Sequence, residues 1–363
     1  MLDESYIQIA IELAKKGKGK VSPKPLVGAL LVKNDKIISA AYRSSPEEDS
    51  AEIIALNCAK ENPEGAVLYT NLEPCCFAGK EKDCAEILIG SKLKKIVIGS
   101  PNPHPQLGGT TIKKLRKAGV EIKTGVFEKE CNELNKFYFK HVTQSFPYVT
   151  VVMASTLDGK IADKDGNSKW ITSVESRSFV HELRTEYDAV LVGYNTVKMD
   201  NPHLTVRLVE GRNPKRIILD RELELSARDN LVKRNYDKNL AVLTSKSNKT
   251  KKKKVDKLAE AGVEIIYVNE EKNGRLDLSH ALKKIGERNI TSLLVEGGRR
   301  IFTEFLNNKL EDELIVFLGP KLLGNGIQLS DGMQIKNLRK AVKFGIKDLD
   351  KIGEDACLKL VRR

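Results

Sequence analysis

The chain has 363 residues, 40% hydrophobic and 31% charged, which is too long for one ordinary domain and apolar enough to fill two cores. No apolar run approaches the roughly 18–20 residues that span a bilayer, and MLDESYIQIAIELAKKGKGK has helical periodicity without the apolar core or cleavage site of a secretion signal, so a cytoplasmic protein with no membrane partner is expected. The net charge of +13 suits anionic ligands; its densest run, lysines 251–254, opens a helix and lacks interleaved aromatics, so a solvated helix start is preferred to a nucleic-acid patch.

In chain order, Ile7, Ala10, Ile11 and Ala14 recur at helical spacing and predict a helix over about 4–16. LVGALLV and KIISAAY flank the turn Asn34-Asp35 and predict a hairpin. A helix from Glu52, the strand AVLYTNL, a helix from about Asp83, the strand KIVIGS, the helix TIKKLRKAG and the strand VEIKTG follow. Strands alternating with helices predict a parallel-dominated sheet covered on both faces. Ser145-Phe146-Pro147 marks a junction, dividing the chain into domains 1–144 and 147–363. Beyond it YVTVVMAST, DAVLVG, PKRIILD, NLAVLTS, VEIIYV, SLLVEGG and ELIVFLG read as strands of a second α/β domain, with helices between most of them.

Six cysteines (58, 75, 76, 84, 131 and 357) in a chain of this size do not form a disulfide framework, and clustered ones point to metal or catalysis. Cys58, Cys131 and Cys357 lie in apolar patterns and are expected in the cores. The others belong to a second pattern. EDSAEIIAL places Glu52 at a helix start, and LEPCCFAGKEKDC supplies Pro74-Cys75 and Cys84. Zinc-dependent nucleobase deaminases use His-x-Glu at a helix start and thiolates after a Pro-Cys turn, with the glutamate shuttling the proton for a zinc-activated water. Ser50 stands where the histidine belongs, and a hydroxyl is a poor zinc ligand.

SPKPLVGALLV, AEIIAL, LEPC with Cys84 nine positions on, PNP and the whole second half together resemble the bifunctional riboflavin-biosynthesis deaminase/reductase family, nearly end to end. The resemblance implies an N-terminal cytidine-deaminase-like three-layer domain, a dihydrofolate-reductase-like α/β domain after it, and a homo-oligomer. It also makes Glu52 the proton shuttle and Cys75 and Cys84 metal ligands. The departures gather around the same pocket. Ser50 replaces the family's histidine, Lys24 the asparagine of SPNPxVGA, Phe77 and Ala78 the histidines of the cysteine loop, and Ser100 the aspartate of DPNP. The chain has no histidine before His104, so no shift of register restores the ligand. An inert zinc site is the preferred expectation; the alternative is a working site completed by Asp49, Cys76 or His104.

The second half keeps STLDGKIA, GNSKWITS, DAVLVGYNTVKMDNPHLTVR, LLVEGG and LGPKLLG, which resemble the pyrimidine-phosphate reductase half. The implied reaction is hydride transfer from NADPH to the ribose C1 of a phosphorylated pyrimidine substrate. By that resemblance Arg184 and Arg207 hold the phosphate, Ser168 and Leu204 line the substrate pocket, and Glu296 accepts hydrogen bonds from the pyrimidine. Ala154, Trp170, Thr172, Thr196, Asp200, Gly297 and Gly298 match cofactor contacts. Val152 stands where bacterial members often carry lysine. A non-catalytic binding protein is the third reading, and the joint presence of Arg184, Arg207 and Glu296 argues against it.

Overall fold

The computed structural model describes residues 2–74, 83–330, 332–333 and 335–363. The expectations for Cys75, Cys76, Phe77 and Ala78 lie outside the described residues. Two compact units divide between Phe146 and Pro147. No helix among the described residues is long and apolar enough to cross a membrane.

The first unit contains α1 (Asp3–Lys15), β1 (Gly28–Lys33), β2 (Lys36–Tyr42), α2 (Ala51–Asn57), β3 (Val67–Leu72), α3 (Cys84–Gly90), β4 (Lys95–Ser100), α4 (Thr110–Lys117), β5 (Glu121–Thr124), α5 (Glu128–Leu134) and α6 (Lys136–Gln144). Its sheet runs β2-β1-β3-β4-β5. The expected parallel sheet is only half present: β3, β4 and β5 are mutually parallel, whereas β1 is antiparallel to both β2 and β3. The tight turn makes the first pair antiparallel, with φ of 49° at Asn34 and 59° at Asp35, as two-residue hairpins require. The chain then crosses through α2 and lays β3 on the far side of β1. Alternation along β1 sends Ala29 and Leu31 to one core, beside Ala51, Ala55 and Leu88, and Leu30 and Val32 to the other, beside Tyr6, Ile7 and Ile11. This is a three-layer unit. At Gly28 a Cβ would lie 2.1 Å from the Ala10 carbonyl oxygen, so α1 packs there only against glycine. Cys131 and Cys357 are buried as expected, but Cys58 is exposed, because α2 has ended at Asn57 and turned into solvent.

The second unit contains β6 (Tyr148–Thr156), β7 (Lys160–Ala162), α7 (Val174–Glu186), β8 (Ala189–Gly193), α8 (Tyr194–Asp200), β9 (Lys215–Leu219), α9 (Asn230–Lys233), β10 (Leu240–Ser245), α10 (Lys252–Glu260), β11 (Val263–Val268), α11 (Leu278–Gly286), β12 (Ser292–Val295), α12 (Arg299–Asn307), β13 (Glu313–Gly319), β14 (Ile327–Gln328), β15 (Phe344–Ile352) and β16 (Asp355–Arg362). Its main sheet runs β11-β10-β9-β8-β12-β6-β13-β16-β15. The pairings are parallel from β11 to β13 and antiparallel across β16 and β15. The carboxyl ends of β6, β8, β12 and β13 therefore lie side by side, the end at which open parallel sheets bind ligands. Lysines 252–254 do open a helix, α10, and Lys251 and Lys254 donate to the Glu222 and Glu224 carbonyls.

Candidate functional site

In the first unit α2 begins at the N-cap Ser50, whose side chain makes no capping bond and is buried. Its hydroxyl lies 3.6 Å from the Cys84 sulfur, so the two positions that would carry a histidine and a thiolate do face each other. Asp49 is exposed beside Ser50, and its backbone carbonyl accepts the Arg43 Nε–H at 3.2 Å. His104 Nδ1 accepts the Gln106 N–H at 3.2 Å. Among the described residues no group of three or more His, Cys, Asp or Glu is arranged to hold a metal ion. Ser50 in place of an imidazole does not fit a zinc centre.

Glu52, in the first turn of α2, is only 1% exposed. Thr70 Oγ1 lies 2.7 Å from its Oε1 and 3.1 Å from the Leu72 carbonyl. Burial, the largest influence, raises the Glu52 titration, against hydrogen bonds from Thr70, its own backbone N–H and Ser50 and the charge of Arg43. A hydroxyl has one proton, so a protonated Glu52 donating to Thr70, which donates to Leu72, satisfies every group. Glu73 of LEPC has a different task. Its carboxylate accepts the backbone N–H groups of Asn102 (3.0 Å), Gly109 (2.9 Å) and Ile112 (3.3 Å), tying the PNP loop and the start of α4 to β3. Ser100 donates to Asn132 Oδ1 at 2.5 Å.

In the second unit two of the expected substrate residues, Arg184 and Glu296, are bonded to each other. Arg184 lies on the buried side of α7 and forms a two-pronged pair with Glu296, at 2.7 Å from Nε and 2.6 Å from the Nη2 nitrogen. The Nη1 nitrogen donates to the Thr205 carbonyl at 3.1 Å. Two residues that the resemblance sends to opposite ends of the substrate are thus paired with each other. Glu296 lies just past the end of β12, with its backbone N–H on the Leu191 carbonyl at 2.9 Å. Arg207 is exposed, and its guanidinium makes no hydrogen bond or ion pair among the described residues. Burial and the like charges of Arg184 and Arg234 lower its pKa. Leu204 is buried with φ of 55°, a strained value for its side chain, and turns the loop that carries Arg207.

The expected cofactor residues surround the strand ends. Ala154 is on β6, Thr196 and Asp200 on α8, and Gly297-Gly298 join Glu296 to α12. Gly297 has φ of 140°, and a Cβ there would meet Thr196 Oγ1 at 3.5 Å. Gly298 is the N-cap of α12, has no side-chain capping bond and has open space where a Cβ would stand. Uncapped backbone N–H groups beside free space fit a dinucleotide phosphate. Trp170 is 62% exposed, with the Arg177 guanidinium 4.0 Å from its ring centroid. Arg177 also holds the Thr172 carbonyl at 2.9 Å. Ser168 is exposed in the same loop. Burial raises the Asp200 titration, opposed by Lys169.

Sequence reasoning gave no role to three residues that position this site. Asp158 accepts the Thr156 hydroxyl (2.5 Å) and the N–H groups of Leu323 (3.1 Å) and Gly324 (2.7 Å), contacts that hold its pKa at about 2. Lys321 donates to the Trp170 carbonyl at 2.7 Å. His181 accepts the Arg207 backbone N–H through Nδ1 at 2.9 Å and brings Nε2 within 3.5 Å of the Arg184 Nη1 nitrogen. The first two sit inside TLDG and GPKLLG and were visible as motif letters; nothing in the sequence distinguished His181.

Residues 147–358 match the RibD C-terminal domain, and residues 1–100 match the cytidine and deoxycytidylate deaminase zinc-binding region. The chain is 42% identical over 357 residues to riboflavin biosynthesis protein RibD of Aquifex aeolicus, covering 98% of this chain and 97% of that one. It is 32% identical over 377 residues to RibD of Escherichia coli, covering 99% of this chain and 100% of that one. Among solved structures, RibD of Acinetobacter baumannii superposes with a TM-score of 0.90 at 30% identity, covering 99% of each chain. The diaminohydroxyphosphoribosylaminopyrimidine deaminase/5-amino-6-(5-phosphoribosylamino)uracil reductase of Thermotoga maritima does so with a TM-score of 0.88 at 37% identity, again covering 99% of each.

Proposed function

The chain belongs to the bifunctional RibD deaminase/reductase family of riboflavin biosynthesis, and from that premise we propose that its working activity is the NADPH-dependent reduction of 5-amino-6-(5-phosphoribosylamino)uracil to the ribityl compound, with the deaminase unit inert. The observation that carries the reductase reading is the unpaired Arg207 guanidinium, held among Arg184 and Arg234. Three mutually repelling cations, of which Arg184 is paired with the Glu296 carboxylate and Arg207 with none, suit an anion, and a phosphate relieves their repulsion.

The residues divide the work. Arg207 binds the substrate phosphate, with Ser168 and the Leu204 backbone beside it. Arg184 aims the Glu296 carboxylate by the two-pronged pair and turns its remaining nitrogen toward the Thr205 carbonyl on the phosphate loop. Glu296 then accepts hydrogen bonds from the pyrimidine N–H and amino groups, which places the ribose C1 at the strand ends. Gly297, Gly298 and the start of α12 receive a cofactor phosphate; Ala154, Trp170, Thr172, Thr196 and Asp200 line the rest of that site. NADPH supplies the hydride that ribose C1 accepts, and the protein supplies position and charge. Trp170, carried on a loop held by Lys321 and Arg177, shields that position from water.

The inert deaminase reading rests on Ser50 facing Cys84. Cys75 and Cys84 are the thiolates that would remain for a metal, with Glu52 as a proton shuttle left without a zinc-bound water. A homo-oligomer completes the proposal, with light scattering as its measure. Protein purified without chelator and under reduction should hold well under one zinc per chain, oxidise NADPH with the phosphoribosylaminouracil, and release no ammonia from its diaminopyrimidine precursor. Near-stoichiometric zinc together with ammonia release would overturn the inert reading. Absence of NADPH oxidation would overturn the reductase reading.

A further inference from the structure

We propose that His181 is the positioning residue of the phosphate loop, fixing Arg207 through its backbone; the inference rests on the reductase reading above. Between α8 and β9 the chain runs from Asn201 to Pro214 without regular structure, so no strand or helix ladder places Arg207. The imidazole does so instead. His181 Nδ1 accepts the N–H of Arg207 itself at 2.9 Å and that of Leu208 at 3.4 Å. One turn along α7, Arg184 holds the Thr205 carbonyl. Thr205, Arg207 and Leu208 are thereby tied to one buried face of one helix, and the two arginines are set at a fixed separation.

The same bonds settle the tautomer. A bare Nδ1 puts the single proton of a neutral imidazole on Nε2, which lies 3.5 Å from the Arg184 Nη1 nitrogen. Burial and the flanking Arg184 and Arg207 keep the ring neutral, lowering its pKa to about 4 against the raising influence of Glu296. A neutral acceptor is what the loop needs, because a protonated Nδ1 could take neither backbone N–H. An ordinary core histidine packs against side chains; this one spends its acceptor on the backbone of the residue whose guanidinium is left without a partner.

The test compares two substrates, 5-amino-6-(5-phosphoribosylamino)uracil and the same compound without its phosphate, on the full-length enzyme with saturating NADPH. His181→Gln moves the acceptor to the Nε2 end of the side chain, and His181→Asn keeps one near Nδ1. Loss of one to two loop hydrogen bonds should raise KM for the phosphorylated substrate about tenfold in His181→Gln, with kcat nearly unchanged. KM for the dephosphorylated substrate should not move, and His181→Asn should recover most of the loss. A general packing role would shift both substrates equally and would not separate Asn from Gln; either result overturns the proposal. Arg207→Ala, run in parallel, keeps the two claims apart. If it leaves the preference for the phosphorylated substrate intact, the phosphate assignment fails. If it removes that preference while His181→Gln does not, the positioning role alone fails.

Discussion

Glu52→Gln separates a working deaminase from an inert one through stability rather than through lost activity. Glu52 is fully buried, and its folded-state titration lies above the ordinary 4.5 because burial opposes the charged form. The folded unit therefore binds this proton more tightly than the unfolded chain. Its favourable contribution is complete below pH 4.5 and declines as pH rises from 4.5 through the raised folded value. Each pH unit of that window costs about 1.4 kcal/mol. Glutamine has the same shape, donates to Thr70 Oγ1 as the protonated acid does, and never ionises. At pH 8 the variant should unfold at a higher temperature by about 3–6 °C for each pH unit of the window, and the two proteins should converge near pH 4. Calorimetric scans of the first unit's transition at pH 4, 6 and 8 read this directly, with NADPH oxidation unchanged as the control. An equal or lower Tm for Glu52→Gln at pH 8 would refute the reasoning, since it would mean that the ionised carboxylate is being stabilised in place, as a metal site or a bound cation would do.

Arg207→Ala should raise KM for the phosphorylated substrate at least tenfold and leave Tm unchanged, because the exposed guanidinium has no partner to lose; steady-state kinetics and a melting curve check both halves. Glu296→Ala should do the opposite on stability, lowering that of the second unit by about 3–5 kcal/mol by stranding the buried Arg184 charge, as a denaturant titration would report, and abolishing reduction. Gly319→Ala places a Cβ 2.2 Å from the Ile171 carbonyl oxygen, so the Trp170 loop must move and KM for NADPH should rise while KM for the pyrimidine changes less. The lowered His181 pKa stabilises the fold above pH 6.5 and loses that contribution as pH falls from 6.5 to about 4, so affinity for inorganic phosphate measured by calorimetry should stay free of a histidine inflection between pH 6 and 8.

Strands with a strong apolar period were legible: KIISAAY and YVTVVMAST coincide with β2 and β6. The edge hairpin of β15 and β16 was not, because β15 is exposed along most of its length and its alternating charges carry no core-facing signal. Direction was also hidden, since β1 and β3 are paired by a crossover that local sequence does not encode. The site divides similarly. Arg184, Arg207 and Glu296 were readable as letters of motifs. That Arg184 pairs with Glu296, 112 positions away, is a fact of tertiary geometry. His181 was silent because a histidine in a helix reads the same whether its acceptor meets solvent, a side chain or a distant backbone N–H.

Glu73 has a consequence for how such chains drift over generations. A substitution there would release three backbone N–H groups from one carboxylate and loosen the loop and helix they begin. Folding alone is enough to keep this letter of the deaminase signature, whereas the buried Ser50 side chain faces Glu52 and Cys84 and leaves the helix end uncapped. Within one short motif, Glu73 is held to the fold by three backbone bonds, while the side chain of Ser50 caps nothing.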